Sequence, residues 1–375
     1  MFHAPASEVT AVSSRSSSAA AGGVHGEAAG AIRVSPHAVP VRPIGQATTA
    51  RSRSCPNSNR PGTISTFWLH VLASRSGLTA RVGSKTVVNA EQGPIVLRDI
   101  QWTTSGVRLR RRASCAGHLN WLFLPGGPGI GSESLHELVD TVDVPGCSWM
   151  VDLPGDGSNI NAPGAPAEPY GLWPQVLLEA AHAVAHPVFV GHSTGGEYLL
   201  SVPALDGCLA GLVLISTAPD ASWIPVFEQM TRNNRLPGVE HATTRYLSDP
   251  SNDHLRRVAV ESAPWNFAAH TVARGTAILA RLPYNSRAAQ WSGANFDHGY
   301  RSAWWPRTLP TLIVSGSADR IVTQTLWQDK RFHTPNTTWR VIAGAGHFPW
   351  IEQPAAVHDA FAALVGQIDN RRTTD

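Results

Sequence analysis

The sequence predicts an α/β fold, a mostly parallel central sheet flanked by helices, on three observations. Short, strongly apolar runs recur at 119–124, 188–190, 212–215 and 310–315. Strands buried on both faces read as such continuous runs rather than as an alternation. Segments of helical spacing lie between them, and strands separated by helices imply right-handed crossovers into a parallel sheet. Finally, small-residue loops follow several runs, most clearly Pro125-Gly126-Gly127-Pro128-Gly129.

Taken in order, residues 1–62 are rich in Ser, Ala, Gly, Arg and Pro, carry only Glu8 and Glu27 as acids, and lack hydrophobic periodicity. A disordered leader is expected there. Its acid-poor, Arg-containing character matches an organelle transit peptide loosely, and it has no apolar core of a secretory signal. A solvated tail, or a reading frame begun too far upstream, is the expectation favoured over it. An apolar patch follows at 66–72. Three strand-like runs at 85–88, 95–102 and 107–111, separated by turn-formers, suggest an antiparallel edge. After the buried run 119–124 come a helix at 132–142, a strand at 148–151, a helix at 172–184, the strand 188–190, a further helix from Glu197, and the strand 212–215.

The alternation then breaks. Residues 218–306 contain no comparable β run, are helix-compatible in places, and carry Trp223, Trp265, Phe267, Trp291, Phe296, Tyr300, Trp304 and Trp305. This is expected to be a helical cap inserted into a core formed by 84–217 and 307–368. The core pattern resumes with a strand at 310–315, a helix near 324–330, a strand at 338–342 and an amphipathic helix at 355–368, leaving 369–375 as a tail.

A formal net charge of +3 is small for 375 residues, so there is no electrostatic case for nucleic acid. Cys55, Cys115, Cys147 and Cys208 are scattered and form no Cys-x-x-Cys pair, which argues for a reducing, cytoplasmic setting, with the leader leaving organelle targeting open. No apolar stretch approaches the roughly 20 residues that span a bilayer. Oligomeric state is not legible.

The chemistry centres on Gly191-His192-Ser193-Thr194-Gly195-Gly196, between the run ending at Val190 and the helix from Glu197. A serine on a tight strand-to-helix turn presents its hydroxyl outward, and glycines two residues either side let the turn close. Serine is a weak nucleophile at neutral pH and needs a base, itself oriented by a carboxylate. His347, in the small-residue loop after the strand 338–342, and Asp319, in the loop after 310–315, both fall at the carboxyl edge of a parallel sheet, where ligands bind. An oxyanion site completes the set: the Thr194 amide, and from the Gly126-Gly127 loop the amide of Gly127. That loop matches no phosphate-binding motif.

Leu124-Pro125-Gly126-Gly127-Pro128-Gly129, Asp152-Leu153-Pro154-Gly155-Asp156-Gly157-Ser158, the Ser193 hexapeptide, Gly316-Ser317-Ala318-Asp319-Arg320 and Gly346-His347-Phe348 together resemble the α/β-hydrolase superfamily over about 85–368. The resemblance implies the α/β-hydrolase fold and the nucleophile, acid, base order Ser193, Asp319, His347. Gly126-Gly127-Pro128-Gly129 is similar to the His-Gly-Gly-Pro-Gly loop of proline iminopeptidases, with Pro125 in place of the histidine and Thr194 where those enzymes carry tryptophan. That group binds a free amine with acidic cap residues, for which Glu228, Glu240 and Glu261 are candidates without a distinguishing spacing. Serine at the elbow disfavours the aspartate chemistry of dehalogenases and epoxide hydrolases.

His182 and His186 have zinc-like i, i+4 spacing, but Ala183 stands where a metalloprotease has its glutamate, so a surface pair is expected and no metal or organic cofactor is called for. Trp223, Trp265 and Phe348 are the candidate substrate contacts. The expected function is a serine hydrolase acting on a small-molecule ester, amide or short peptide through an acyl-enzyme on Ser193. An iminopeptidase-like aminopeptidase and a non-catalytic ligand-binding member of the fold are the alternatives.

Overall fold

A computed structural model describes residues 99–372. The leader, the patch at 66–72, the run 85–88 and residues 95–98 of the run 95–102 lie outside the described residues. Eight strands form one sheet: β1 (Ile100–Trp102), β2 (Arg108–Ser114), β3 (Asn120–Leu124), β4 (Cys147–Asp152), β5 (Pro187–His192), β6 (Gly211–Ile215), β7 (Thr311–Gly316) and β8 (Thr337–Ile342). Their spatial order is β1-β2-β4-β3-β5-β6-β7-β8. β2 pairs antiparallel with β1 and β4, and every pairing from β4 to β8 is parallel.

The apolar runs occupy the middle of this sheet because both faces are covered. Every residue of β3, β5, β6 and β7 is buried. Within β3 the side chains divide by parity. Trp121 and Phe123 join α1 (His136–Thr141) and the long C-terminal helix on one face, while Leu122 and Leu124 meet α2 (Trp173–His182) and α3 (Thr194–Leu200) on the other. Each such fully buried large apolar side chain stabilises the fold by about 1.5–3 kcal/mol. β8, at the far edge, lacks that cover, and Val341 is 62% exposed.

Two helices expected from spacing are shorter than their patterns. The segment at 132–142 begins as a 3-10 turn, Ser132–Leu135, where Ser134 donates from both N–H and hydroxyl to the Gly131 carbonyl. The segment at 324–330 is two 3-10 turns, Gln324–Gln328 and Lys330–Phe332. Thr323 and Asp329 accept from the amides of Thr325 and Arg331, and each such side-chain cap restarts the chain.

Between β6 and β7 the chain forms six helices: α4 (Trp223–Asn233), α5 (Pro237–Ser248), α6 (Asn252–Glu261), α7 (Ala263–Asn266), α8 (Val272–Arg281) and α9 (Ser286–Asn295). Ser251 and Asn285 cap α6 and α9 through bonds from His254 and from Arg287 and Ala288. Because β6 and β7 run parallel, this helical layer departs from the carboxyl end of β6, and the segment after α9 carries the chain back to the amino end of β7. α10 (Pro349–Glu352) and α11 (Pro354–Arg372) close the chain. No helix among the described residues is long and apolar enough to cross a membrane.

Candidate active site

Ser193 joins the end of β5 to the start of α3 with φ 51° and ψ −127°. A non-glycine residue held there costs roughly 1–3 kcal/mol, which the surrounding packing must supply. The glycines of the elbow do more than let the turn bend. A Cβ on Gly195 would lie 2.4 Å from the Pro125 carbonyl oxygen, and one on Gly126 would lie 2.6 Å from the Ser193 Cβ. Backbone contact between the elbow and the loop after β3 therefore requires both, and it brings the Gly126-Gly127 segment alongside the serine. Thr194 opens α3, so its amide has no acceptor within the helix.

Asp319 and His347 come from the loops after β7 and β8. The imidazole Nδ1 and the Asp319 Oδ2 are 3.0 Å apart, and both side chains are almost wholly buried. The other Asp319 oxygen accepts from the amides of Ile321 and Val322 at 2.9 and 3.1 Å. With one oxygen held by the backbone and the other facing the ring, the carboxylate has a single orientation. His347 is pinned at both ends of its own peptide: its N–H donates to the Asn266 carbonyl at 2.8 Å, and its carbonyl accepts from His192 Nε2 at 3.0 Å. That bond places the His192 proton on Nε2. Burial, reinforced by the neighbouring His347, holds the His192 pKa well below the usual imidazole range, so this residue is a neutral brace.

Ser193, Thr194, Gly127 and His347 line one cavity of about 160 Å³. Its walls are apolar and come largely from the inserted helices, including Trp223, Phe227, Val239, Leu255, Trp265 and Leu279, with Phe348 beside His347. All three aromatic residues named from sequence lie in this wall. The candidate acids separate. Glu240 is paired with Arg235 and Glu261 with Arg257; Glu228 faces Arg232 at 3.8 Å and also lines the cavity. Asp297, which sequence reasoning did not single out, lines it too. Burial pushes its pKa up to about 6 against a bond from the Ser292 hydroxyl. His182 and His186 do not converge: His182 contacts the Cys208 thiol at 3.3 Å, and His186 packs edge-on against His118.

The loop carrying Gly127 is held from below by Asp156, whose Oδ1 accepts from the amides of Gly129 and Gly157, both at 2.8 Å. Burial above all, with Asp152 nearby, pushes the Asp156 pKa up to about 7. Its folded-state value lies above that of an unfolded aspartate, near 4. The stability it contributes is therefore complete below about pH 4 and lost as pH rises through 7. Asparagine keeps an oxygen for both amides and cannot ionise. Asp156→Asn is expected to match the wild type near pH 4 and to exceed it by on the order of a few kcal/mol above pH 7. Urea unfolding at both ends of that range checks this; a difference independent of pH would refute it.

Residues 121–360, well over half of the chain, match the model of the alpha/beta hydrolase family. Among curated proteins, the pimeloyl-[acyl-carrier protein] methyl ester esterase of Xylella fastidiosa (strain M23) is 26% identical over 230 residues, covering 58% of this chain and 85% of its own length. Among solved structures, the proline iminopeptidase of Mycobacterium smegmatis aligns with a TM-score of 0.51 at 18% identity, over 73% of this chain and 99% of that one. A thermophilic esterase from Thermogutta terrifontis aligns with a TM-score of 0.51 at 20% identity, over 72% and 99%. At these identities the structural neighbours speak for the fold.

Proposed function

The chain belongs to the alpha/beta hydrolase family, and from that premise we propose that it is a serine ester hydrolase with Ser193 as nucleophile, His347 as base and Asp319 as the group that orients it. The observation that carries this reading is the 3.0 Å contact between His347 Nδ1 and Asp319, with His347 and Ser193 on the wall of one cavity. With Nδ1–H donated to Asp319, His347 Nε2 is left as the acceptor. It takes the hydroxyl proton as Ser193 Oγ attacks the ester carbonyl, and the Thr194 and Gly127 amides donate to the resulting oxyanion. The protonated imidazole then releases the alcohol, and water cleaves the acyl-enzyme by the reverse sequence. The matching curated relatives, named as esterases, support ester rather than amide cleavage.

A cavity of about 150 Å³ with apolar walls holds one benzene-sized group, so a compact acyl group on the order of six carbons suits this one. Ala259 lies in the wall, and Ala259→Leu is expected to lower kcat/KM for hexanoyl esters about tenfold while acetyl esters lose little. A panel of p-nitrophenyl esters reads this out, and a uniform loss across the panel would contradict the placement of the acyl group. The reading as a whole is tested by a fluorophosphonate probe. It should label the wild type and spare Ser193→Ala; an unlabelled wild type would sink it.

A second reading, an aminopeptidase, is favoured by Asp297 and Glu228 in the same wall, two carboxylates suited to a substrate ammonium group. Faster turnover of aminoacyl arylamides than of acyl esters would select it.

A further inference from the structure

We propose that Glu352 is a positioning residue that couples the seating of the inserted helices to the placement of His347, an inference that rests on the hydrolase reading above. Glu352 ends α10, just beyond His347, and is buried. Its two carboxylate oxygens face opposite parts of the molecule. Oε1 accepts from the Ala268 amide at 2.6 Å and from the Thr271 hydroxyl at 2.5 Å, both in the insertion. Oε2 accepts from the Gly346 amide, next to His347. One carboxylate thus ties the insertion to the loop that carries the imidazole.

The same junction is closed from the other side. The His347 N–H donates to the Asn266 carbonyl of α7. A Cβ on Gly346 would lie 2.5 Å from that same carbonyl oxygen, so the two backbones are in direct contact. The segment 266–271 therefore supplies both the acceptor for the His347 amide and the donors that orient Glu352. If it shifts, Gly346 and His347 lose partners together. The Nδ1 contact with Asp319 depends on where that loop sits, and a displacement of about 1 Å in catalytic geometry can cost on the order of 10²-fold. Three donors converge on Glu352, so a carboxylate is required. Glutamine has one acceptor oxygen, and its NH2 group must face either Gly346 N–H or the donors of Ala268 and Thr271.

The test compares Glu352→Gln, Thr271→Val and, as a control, Arg281→Ala, which removes an anchor of the insertion that reaches only Glu137. Glu352→Gln is expected to lower kcat for a short acyl ester about 10-fold to 100-fold with KM within about twofold, since the cavity wall is intact. Thr271→Val should show the same pattern at a few-fold, and Arg281→Ala should leave kcat unchanged. In parallel, the ¹⁵N shift of His347 Nδ1, which reports its bond to Asp319 without any substrate, is expected to move in Glu352→Gln and Thr271→Val but not in Arg281→Ala. Should Glu352→Gln fail to fold, Thr271→Val decides on the same two measurements. An unchanged kcat together with an unchanged Nδ1 shift in a folded variant overturns the coupling. Ser193→Ala, assayed alongside, separates the two ideas. If it still turns over ester, the hydrolase reading fails, and the Nδ1 shift alone continues to judge Glu352.

Discussion

Replacing Ser193 by alanine is expected to lower ester turnover by about 10⁶-fold while the thermal unfolding transition stays in place. The hydroxyl is the only group lost, and the elbow is held by contacts that do not involve it. Gly195 and Gly126 pack on the loop after β3 and beside the serine, and the Ser193 amide donates to the Ile215 carbonyl at 2.8 Å. Alanine suffers the same left-handed backbone that serine does, so the variant inherits the strain without adding to it. His347→Ala is expected to cost a comparable factor, and the double variant little more, because nucleophile and base act as one unit. Steady-state kinetics on a short p-nitrophenyl ester, with circular dichroism to establish folding, checks the series. Turnover by a folded Ser193→Ala variant near the wild-type rate would remove the nucleophile from the proposal.

Asp319→Asn is expected to lower kcat by about 10⁴-fold with an unchanged fold. The local hydrogen bonds determine the outcome. The amides of Ile321 and Val322 both donate to Oδ1, so an asparagine must keep its carbonyl oxygen there and turn its NH2 group toward His347. That group is a donor, and His347 Nδ1 must then accept, which moves the ring proton to Nε2. An imidazole with Nε2 protonated cannot take the Ser193 proton. The substitution removes the base without touching it. A small loss of kcat would mean that His347 keeps its tautomer by some other bond, and a large rise in KM with constant kcat would assign Asp319 to binding instead.

Much of the fold was legible because burial on two faces leaves a local mark. The runs at 119–124, 212–215 and 310–315 coincide within a residue with β3, β6 and β7, each wholly buried. Patterns were less reliable where side-chain caps compete with helix periodicity, as at Thr323 and Asp329, which break the expected helix into two 3-10 turns. Ser193, Asp319 and His347 could be named because each follows a strand in a loop of small residues. Glu352, Asp156 and Asp297 could not. Each is a single acid with ordinary neighbours; Glu352 and Asp156 have partners far along the chain, Ala268 and Thr271 for the one and Gly129 for the other, and Asp297 reaches the cavity only through the packing of the insertion. Asp156 had the nearest thing to a signal, since it stands in a Gly-rich loop directly after β4 at the same sheet edge.

By itself the sequence determined the order of the buried strands, the serine elbow, and the loops that carry Asp319 and His347. All of these rest on neighbours within a few residues, where periodicity, glycine and chain order carry the information. Only the tertiary structure decided which carboxylate meets which partner. It brought the Gly129 amide to Asp156, left Glu228 and Asp297 in the cavity wall, and seated the insertion on the His347 loop through Glu352. The physical reason is that hydrogen bonds and charge pairs act over a few ångströms in space. Residues far apart in the chain meet only once burial of the apolar runs has stacked the layers.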